Sequence, residues 1–212
     1  MKTKKERPIA SVILFLSFAF LLIIFYLNIS PVKNNIPQDL IAVLRPHAIA
    51  LQPFTLTDKN NNPFTNTNLN GKWSFLFFGY THCPDICPTT LMILKHINNE
   101  LKKNPKTASD MQVIFISIDP KRDDVGMLAK YTEYFNKEFI PLTGSNDNLY
   151  KFSKQFSASF IKEETGTPNN YLMSHTSSIF LVDPKMRLVA SFSPPHDIAT
   201  ITSQYLKIHD MY

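Results

Sequence analysis

The chain has 212 residues, a formal net charge of +5, two cysteines and 12% aromatic residues. Most of the excess charge sits in the first seven residues, where Lys2, Lys4, Lys5 and Arg7 outweigh Glu6, so the remainder is close to neutral. That distribution leaves no basic stripe, and nucleic acid is excluded as an expected partner.

Residues 1–8 read as a basic tail. From Ile9 to Leu27 no charge occurs, and nineteen residues at the helical rise span about 28 Å, close to the hydrocarbon thickness of a bilayer. A cleaved signal peptide has a shorter apolar core and a small-x-small cleavage site, which Asn28-Ile29-Ser30-Pro31 does not offer. The expectation is a single transmembrane anchor over 9–27. Its basic flank keeps the short end cytoplasmic, so the rest of the chain is expected in the periplasm of a bacterium, tethered to the inner membrane. Residues 28–50, interrupted by Pro31, Pro37 and Pro46, read as a linker. Residues 51–212 are compositionally even and long enough for one domain with a sizeable core.

Within that domain the elements alternate. Phe54 to Thr57 and the stretch after Pro63 flank Asp58-Lys59-Asn60-Asn61-Asn62 as a small hairpin. Trp73 to Gly79 is an apolar run of buried-strand type, followed by a helix beginning at Pro88. Val113 to Ile118 is a second such strand. Helical spacing recurs over Asp124–Asn136 and Asn146–Phe156. Ser178 to Val182 and Leu188 to Phe192 form a hairpin, and Asp197 caps a last helix. Strand, helix, strand, helix, then hairpin and helix is the order of an α/β thioredoxin-like fold.

Cys83 and Cys87 lie in Gly79-Tyr80-Thr81-His82-Cys83-Pro84-Asp85-Ile86-Cys87-Pro88, between the first strand and its helix. A disulfide across so short a loop adds little stability, so the pair is expected to do chemistry. Near a helix N-terminus both sulfurs are favoured as thiolates, which redox exchange and soft-metal binding both require. The spacing is one residue longer than the C-x-x-C of thioredoxin-like oxidoreductases. His175, just before the penultimate strand, supplies a candidate third ligand. Two thiolates and an imidazole suit copper, with zinc as the competitor; the alternative for His175 is a surface or capping residue. His82 should point away from the metal, since adjacent positions do not share a face. Asp123 is read as a helix cap at the turn Asp119-Pro120-Lys121-Arg122-Asp123.

Phe77 through Pro88, Ser117 through Asp123, Phe139 through Gly144 and His175 through Pro184 together resemble the Sco/SenC family of membrane-anchored copper-binding proteins. The resemblance extends over nearly all of residues 40–210. It implies copper, Cu(I) or Cu(II), held by Cys83, Cys87 and His175, and a non-enzymatic role in maturing the dinuclear copper centre of cytochrome c oxidase subunit II. A copper donor and a periplasmic thiol reductant would be further partners. The alternative is a periplasmic thiol–disulfide oxidoreductase that keeps the oxidase cysteines reduced through Cys83 and Cys87. The sequence departs from the family where Asn61-Asn62 and Lys185-Met186 replace turn glycines. Ser174 also replaces the acidic residue that often precedes the family's histidine.

Overall fold

The computed structural model describes residues 7–29, 36–163 and 171–212. The chain divides between Pro37 and Gln38 into two units. In the first, a mainly apolar sequence without charge after Arg7 forms the 23-residue helix α1 (Arg7–Ile29), whose large apolar side chains from Val12 to Tyr26 are exposed. Among the described residues no helix qualifies as long and apolar enough to cross a membrane; on α1 the described side chains are those of residues 11–26. Residues 1–6 of the expected basic tail and 30–35 of the expected linker lie outside the described residues.

The second unit contains β1 (Leu44–Ala50), β2 (Thr55–Asp58), β3 (Pro63–Thr65), β4 (Trp73–Gly79), α2 (Ile86–Lys102), β5 (Met111–Ser117) and α3 (Val125–Phe135). It continues through β6 (Ile140–Thr143), α4 (Asn146–Gln155), β7 (Phe160–Lys162), β8 (Met173–His175), β9 (Ile179–Val182), β10 (Arg187–Phe192) and α5 (Ile198–Met211). Eight strands make one mixed sheet in the order β1-β10-β9-β4-β5-β6-β2-β3, while β7 and β8 pair separately. The centre is parallel, β4 with β5 and β5 with β6, and β9 joins β4 antiparallel. This is the mixed α/β, thioredoxin-like arrangement that the element order implies.

Every residue of β4 and β5 is buried, as expected where both faces of parallel strands are covered. Alternation sends successive side chains to opposite faces. Phe75 meets Tyr205 of α5 at 5.1 Å between ring centres, whereas Phe78 meets Phe156, just past α4, at 5.5 Å. Polar side chains buried in these strands are paired: Gln112 donates to Ser74 Oγ at 2.9 Å directly across the register.

The two turns without the family's glycines are held by aspartates. Asn61 and Met186 both adopt left-handed backbone, with φ of 61° and 60°, which disfavours residues other than glycine. In the first turn Asp58 accepts backbone N–H groups of Asn60 and Asn62, both at 2.8 Å. In the second, Asp183 accepts from Lys185 and Arg187 at 3.0 and 2.8 Å.

The expected linker 28–50 requires correction. Leu40 is fully buried, Gln204 donates to the Asp39 carbonyl at 2.7 Å, and β1 pairs antiparallel with β10. Residues 38–50 therefore belong to the domain. The segment reads as irregular because β1 is an edge strand with no fully buried position and contains Pro46, which sheets accept at an edge. Leu40→Ala should cost about 2–5 kcal/mol, the usual range for emptying a buried leucine site. Urea unfolding checks this; a midpoint equal to wild type is the result a mere tether would give.

Candidate metal centre

The site lies at the C-terminal end of β4 and the N-terminal end of α2. The helix starts at Ile86, two residues before the expected Pro88, with Asp85 at the cap. Pro88 still fits the first turn, where its missing N–H has no intrahelical partner to lose. Cys87 is thereby the second helical residue and is fully buried, while Cys83 in the preceding loop is half-buried.

Two contacts place the sulfurs. The Cys87 backbone N–H, one of the free donors of the helix start, points at Cys83 Sγ at 3.4 Å. Gly79, the last residue of β4, lets Cys87 approach the sheet: a Cβ built there would stand 2.8 Å from both Cys87 Sγ and Phe115 Cε2. Glycine is required here by close approach. The paired thiols polarise each other. A hydrogen bond from Cys87 holds Cys83 well below the ordinary thiol range, and the same pairing, with burial, pushes Cys87 up. In the metal-free reduced protein this favours the thiolate at half-buried Cys83 and the proton at buried Cys87.

His175, at the end of β8, completes the set. Its Nδ1 lies 3.0 Å from the Thr176 carbonyl oxygen, which can only accept, so Nδ1 is the donor and, in the neutral ring, Nε2 presents its lone pair. Nε2 is 3.5 Å from Cys87 Sγ. A backbone carbonyl thus orients the ring, as metal-binding histidines require, and no carboxylate at position 174 is needed for it. Ser174 instead donates to the Glu163 carboxylate. The rings of Phe77 and Tyr80 flank the imidazole, each at 6.0 Å between centres.

The loops carrying the three residues are tied together. The Met173 N–H donates to the Tyr80 hydroxyl at 3.2 Å, linking β8 to the cysteine loop. Arg122 stacks on Tyr171 at 3.6 Å, donates to the Tyr171 carbonyl at 2.9 Å and pairs with buried Asp119. Asp123 departs from its expected role. Asp124 caps α3, accepting from Met127 N at 2.8 Å. The fully buried Asp123 accepts from Thr81 N at 3.0 Å and Ser117 Oγ at 2.7 Å, anchoring the cysteine loop to β5. Gly79, Tyr80 and Asp123 are positioning residues that sequence reasoning missed. Only the repeated burial-prone run before Cys83 hinted at the first two.

Cys83, Cys87 and His175 place one ligand atom each within 4.8 Å of one another. Ligands about 2.0–2.3 Å from a shared ion in a trigonal plane lie about 3.5–4 Å apart, so small side-chain movements close the set around one metal. The donors, two sulfurs and one imidazole nitrogen, form a soft set that favours copper over hard cations. A cavity of about 300 Å³ beside Cys83 and His175, lined also by Ile86 and Leu172, opens beside the site. His82 does not line this cavity, in keeping with its expected direction away from the ligands.

Comparison with known proteins agrees with this geometry. The family model described as SCO1/SenC matches residues 43–210. Protein SCO1 homolog 1, mitochondrial, from Arabidopsis thaliana is 34% identical over 155 residues, which is 73% of this chain and 46% of that protein. The chain thus spans about half the length of this curated relative. Among solved structures, Arabidopsis thaliana ScoI with copper bound superposes with a TM-score of 0.71 at 34% identity, over 76% of this chain and 98% of that one. Yeast Sco1 with copper bound gives a TM-score of 0.71 at 31% identity, over 77% of this chain and 90% of that one. By sequence along four-fifths of its length, and by the fold that gathers its two cysteines and histidine, the chain belongs to the SCO1/SenC family.

Proposed function

We propose that this protein binds one copper ion through Cys83, Cys87 and His175 and delivers it during maturation of the dinuclear copper centre of cytochrome c oxidase subunit II. The observation that carries this reading is the convergence of the three donors within 4.8 Å, with His175 Nδ1 held by the Thr176 carbonyl and Nε2 turned toward the sulfurs. The copper-bound relatives support it. Copper is cargo here: on arrival it takes the thiolate of Cys83, displaces the proton of Cys87 and accepts the His175 lone pair. The half-exposed Cys83 is the ligand nearest a partner. In the same reading residues 9–27 anchor the protein in a bacterial inner membrane with the domain in the periplasm, supported by the uncharged run and its one-sided basic flank. A copper donor and a thiol reductant are its other partners.

The test is His175→Ala in the reduced full chain in detergent. Cu(II) binding should weaken more than Cu(I) binding, because Cu(I) accepts two sulfurs alone. Unchanged Cu(II)–thiolate absorption in the variant would refute the three-ligand site. A second reading, a thiol–disulfide reductase for the oxidase cysteines, is favoured by the asymmetry of a half-buried sulfur favoured as thiolate beside a buried thiol. Gene deletion separates the two. An oxidase defect relieved by added copper supports delivery, and one relieved only by a small-molecule thiol supports reduction.

A further inference from the structure

The cavity beside Cys83 and His175 is built to recognise as well as to admit. Its volume, about 300 Å³, stands at the lower end of ligand pockets, enough for a side chain or two of a protruding segment. Ile86, the first residue of α2, is 51% exposed, and Leu172, just before β8, is 41% exposed. Scattered exposed apolar side chains are ordinary on a protein surface. These two, however, line the same opening, and half-buried Cys83 lines it with them.

The charges around it have one sign. Asp85 and Glu163 line the cavity, and among the described residues no lysine or arginine does. Both acids are exposed, and their side-chain partners are neutral hydroxyls, those of Thr89 and Ser174. Cations on the neighbouring segments are drawn elsewhere: Lys162 Nζ lies over the Tyr171 ring at 4.2 Å, and Arg122 pairs with buried Asp119. Cu(I) between two thiolates and a neutral imidazole keeps a net negative charge, so the cargo adds to the same field. Clefts with low-dielectric walls and charge of one sign focus that field on an approaching partner. Resting on the delivery reading above, we propose that this opening docks a protruding cysteine-bearing segment of the partner, in which an apolar side chain and a lysine or arginine flank the cysteine. The apolar side chain lies against Ile86 and Leu172, the base pairs with Asp85 and Glu163, and the partner's sulfur meets Cys83.

Short peptides whose single cysteine is activated as its 2-thiopyridyl disulfide, flanked by Leu and Lys, Leu and Glu, or Gly and Lys, test this on the reduced, metal-free full chain in detergent. The Cys83 thiolate attacks the peptide sulfur, a mixed disulfide forms, and 2-thiopyridone leaves, its absorbance giving the rate. Each rate is divided by that of an uncharged activated disulfide, which cancels any change in the reactivity of Cys83 itself. At low salt the Leu–Lys peptide should react about tenfold faster than the Leu–Glu peptide, and the preference should collapse at high salt. It should collapse equally in Asp85→Asn/Glu163→Gln, a pair of exposed positions of which Asp85 makes no capping hydrogen bond. The Gly–Lys peptide should react more slowly than the Leu–Lys peptide. Equal rates for the Lys and Glu peptides, a preference that the double variant keeps, or indifference to the leucine overturns the proposal. No copper enters the measurement, so such a failure leaves the three-ligand centre standing, and a failure of copper binding is read separately by chelator competition.

Discussion

Cys87→Ser is expected to lower copper affinity by more than about 100-fold, beyond the 10- to 100-fold that loss of a mere supporting partner costs at metal sites. Serine leaves one thiolate and one imidazole, and its hydroxyl is a hard donor where a soft one is needed. Oxidation should have the same effect by another route. The two sulfurs lie within 4.8 Å, and residues four apart at a helical turn place their Cα atoms within the range a disulfide spans. The disulfide has no thiolate to offer, so its formation should release the ion, and reduction should restore binding. Competition with a chromophoric Cu(I) chelator measures both effects. Stoichiometric copper on the oxidised protein, or near-wild-type affinity in Cys87→Ser, would show that the ion sits elsewhere.

Gly79→Ala is expected to strike fold and site together. The added Cβ would meet Cys87 Sγ and Phe115 Cε2 at 2.8 Å and Phe77 Cε1 at 3.2 Å. All three neighbours are fully buried, and Cys87 is fixed by its helix, so none yields freely. Overpacking of this kind costs about 1–3 kcal/mol. Relief comes most readily by pushing α2 and its sulfur outward, away from His175 Nε2, so copper affinity should fall at least tenfold while the reduced thiols stay countable. Urea unfolding of the metal-free protein and chelator competition on the same sample separate the two effects. Wild-type stability with wild-type affinity would mean that the close approach at Gly79 is not what places Cys87. Gly71, whose φ is 76° but around which a Cβ would meet nothing within 4 Å, is a useful contrast: alanine there tests backbone strain without crowding the centre.

How much of this was legible beforehand depended on whether the signal was local. β4 and β5 declared themselves because strands covered on both faces are continuously apolar, α3 through its apolar spacing, and α5 because spacing and cap agree. β1 did not, since an edge strand with Pro46 and mostly exposed positions takes its order from pairing with β10. At Asp123-Asp124 either acid could cap the helix. Burial against Thr81 and Ser117 decided that Asp124 caps and Asp123 anchors the cysteine loop. The Cys83–Cys87 spacing by itself placed two sulfurs at a helix start, and the surrounding motifs identified the family. It could not show that Nδ1 of His175 is spent on the Thr176 carbonyl or that Gly79 clears room for Cys87. Residue type and short spacing determine which donors exist and which secondary element carries them. Their distances and proton positions arise only when segments as far apart as residues 87 and 175 pack against the same strand, and that packing is a property of the tertiary structure.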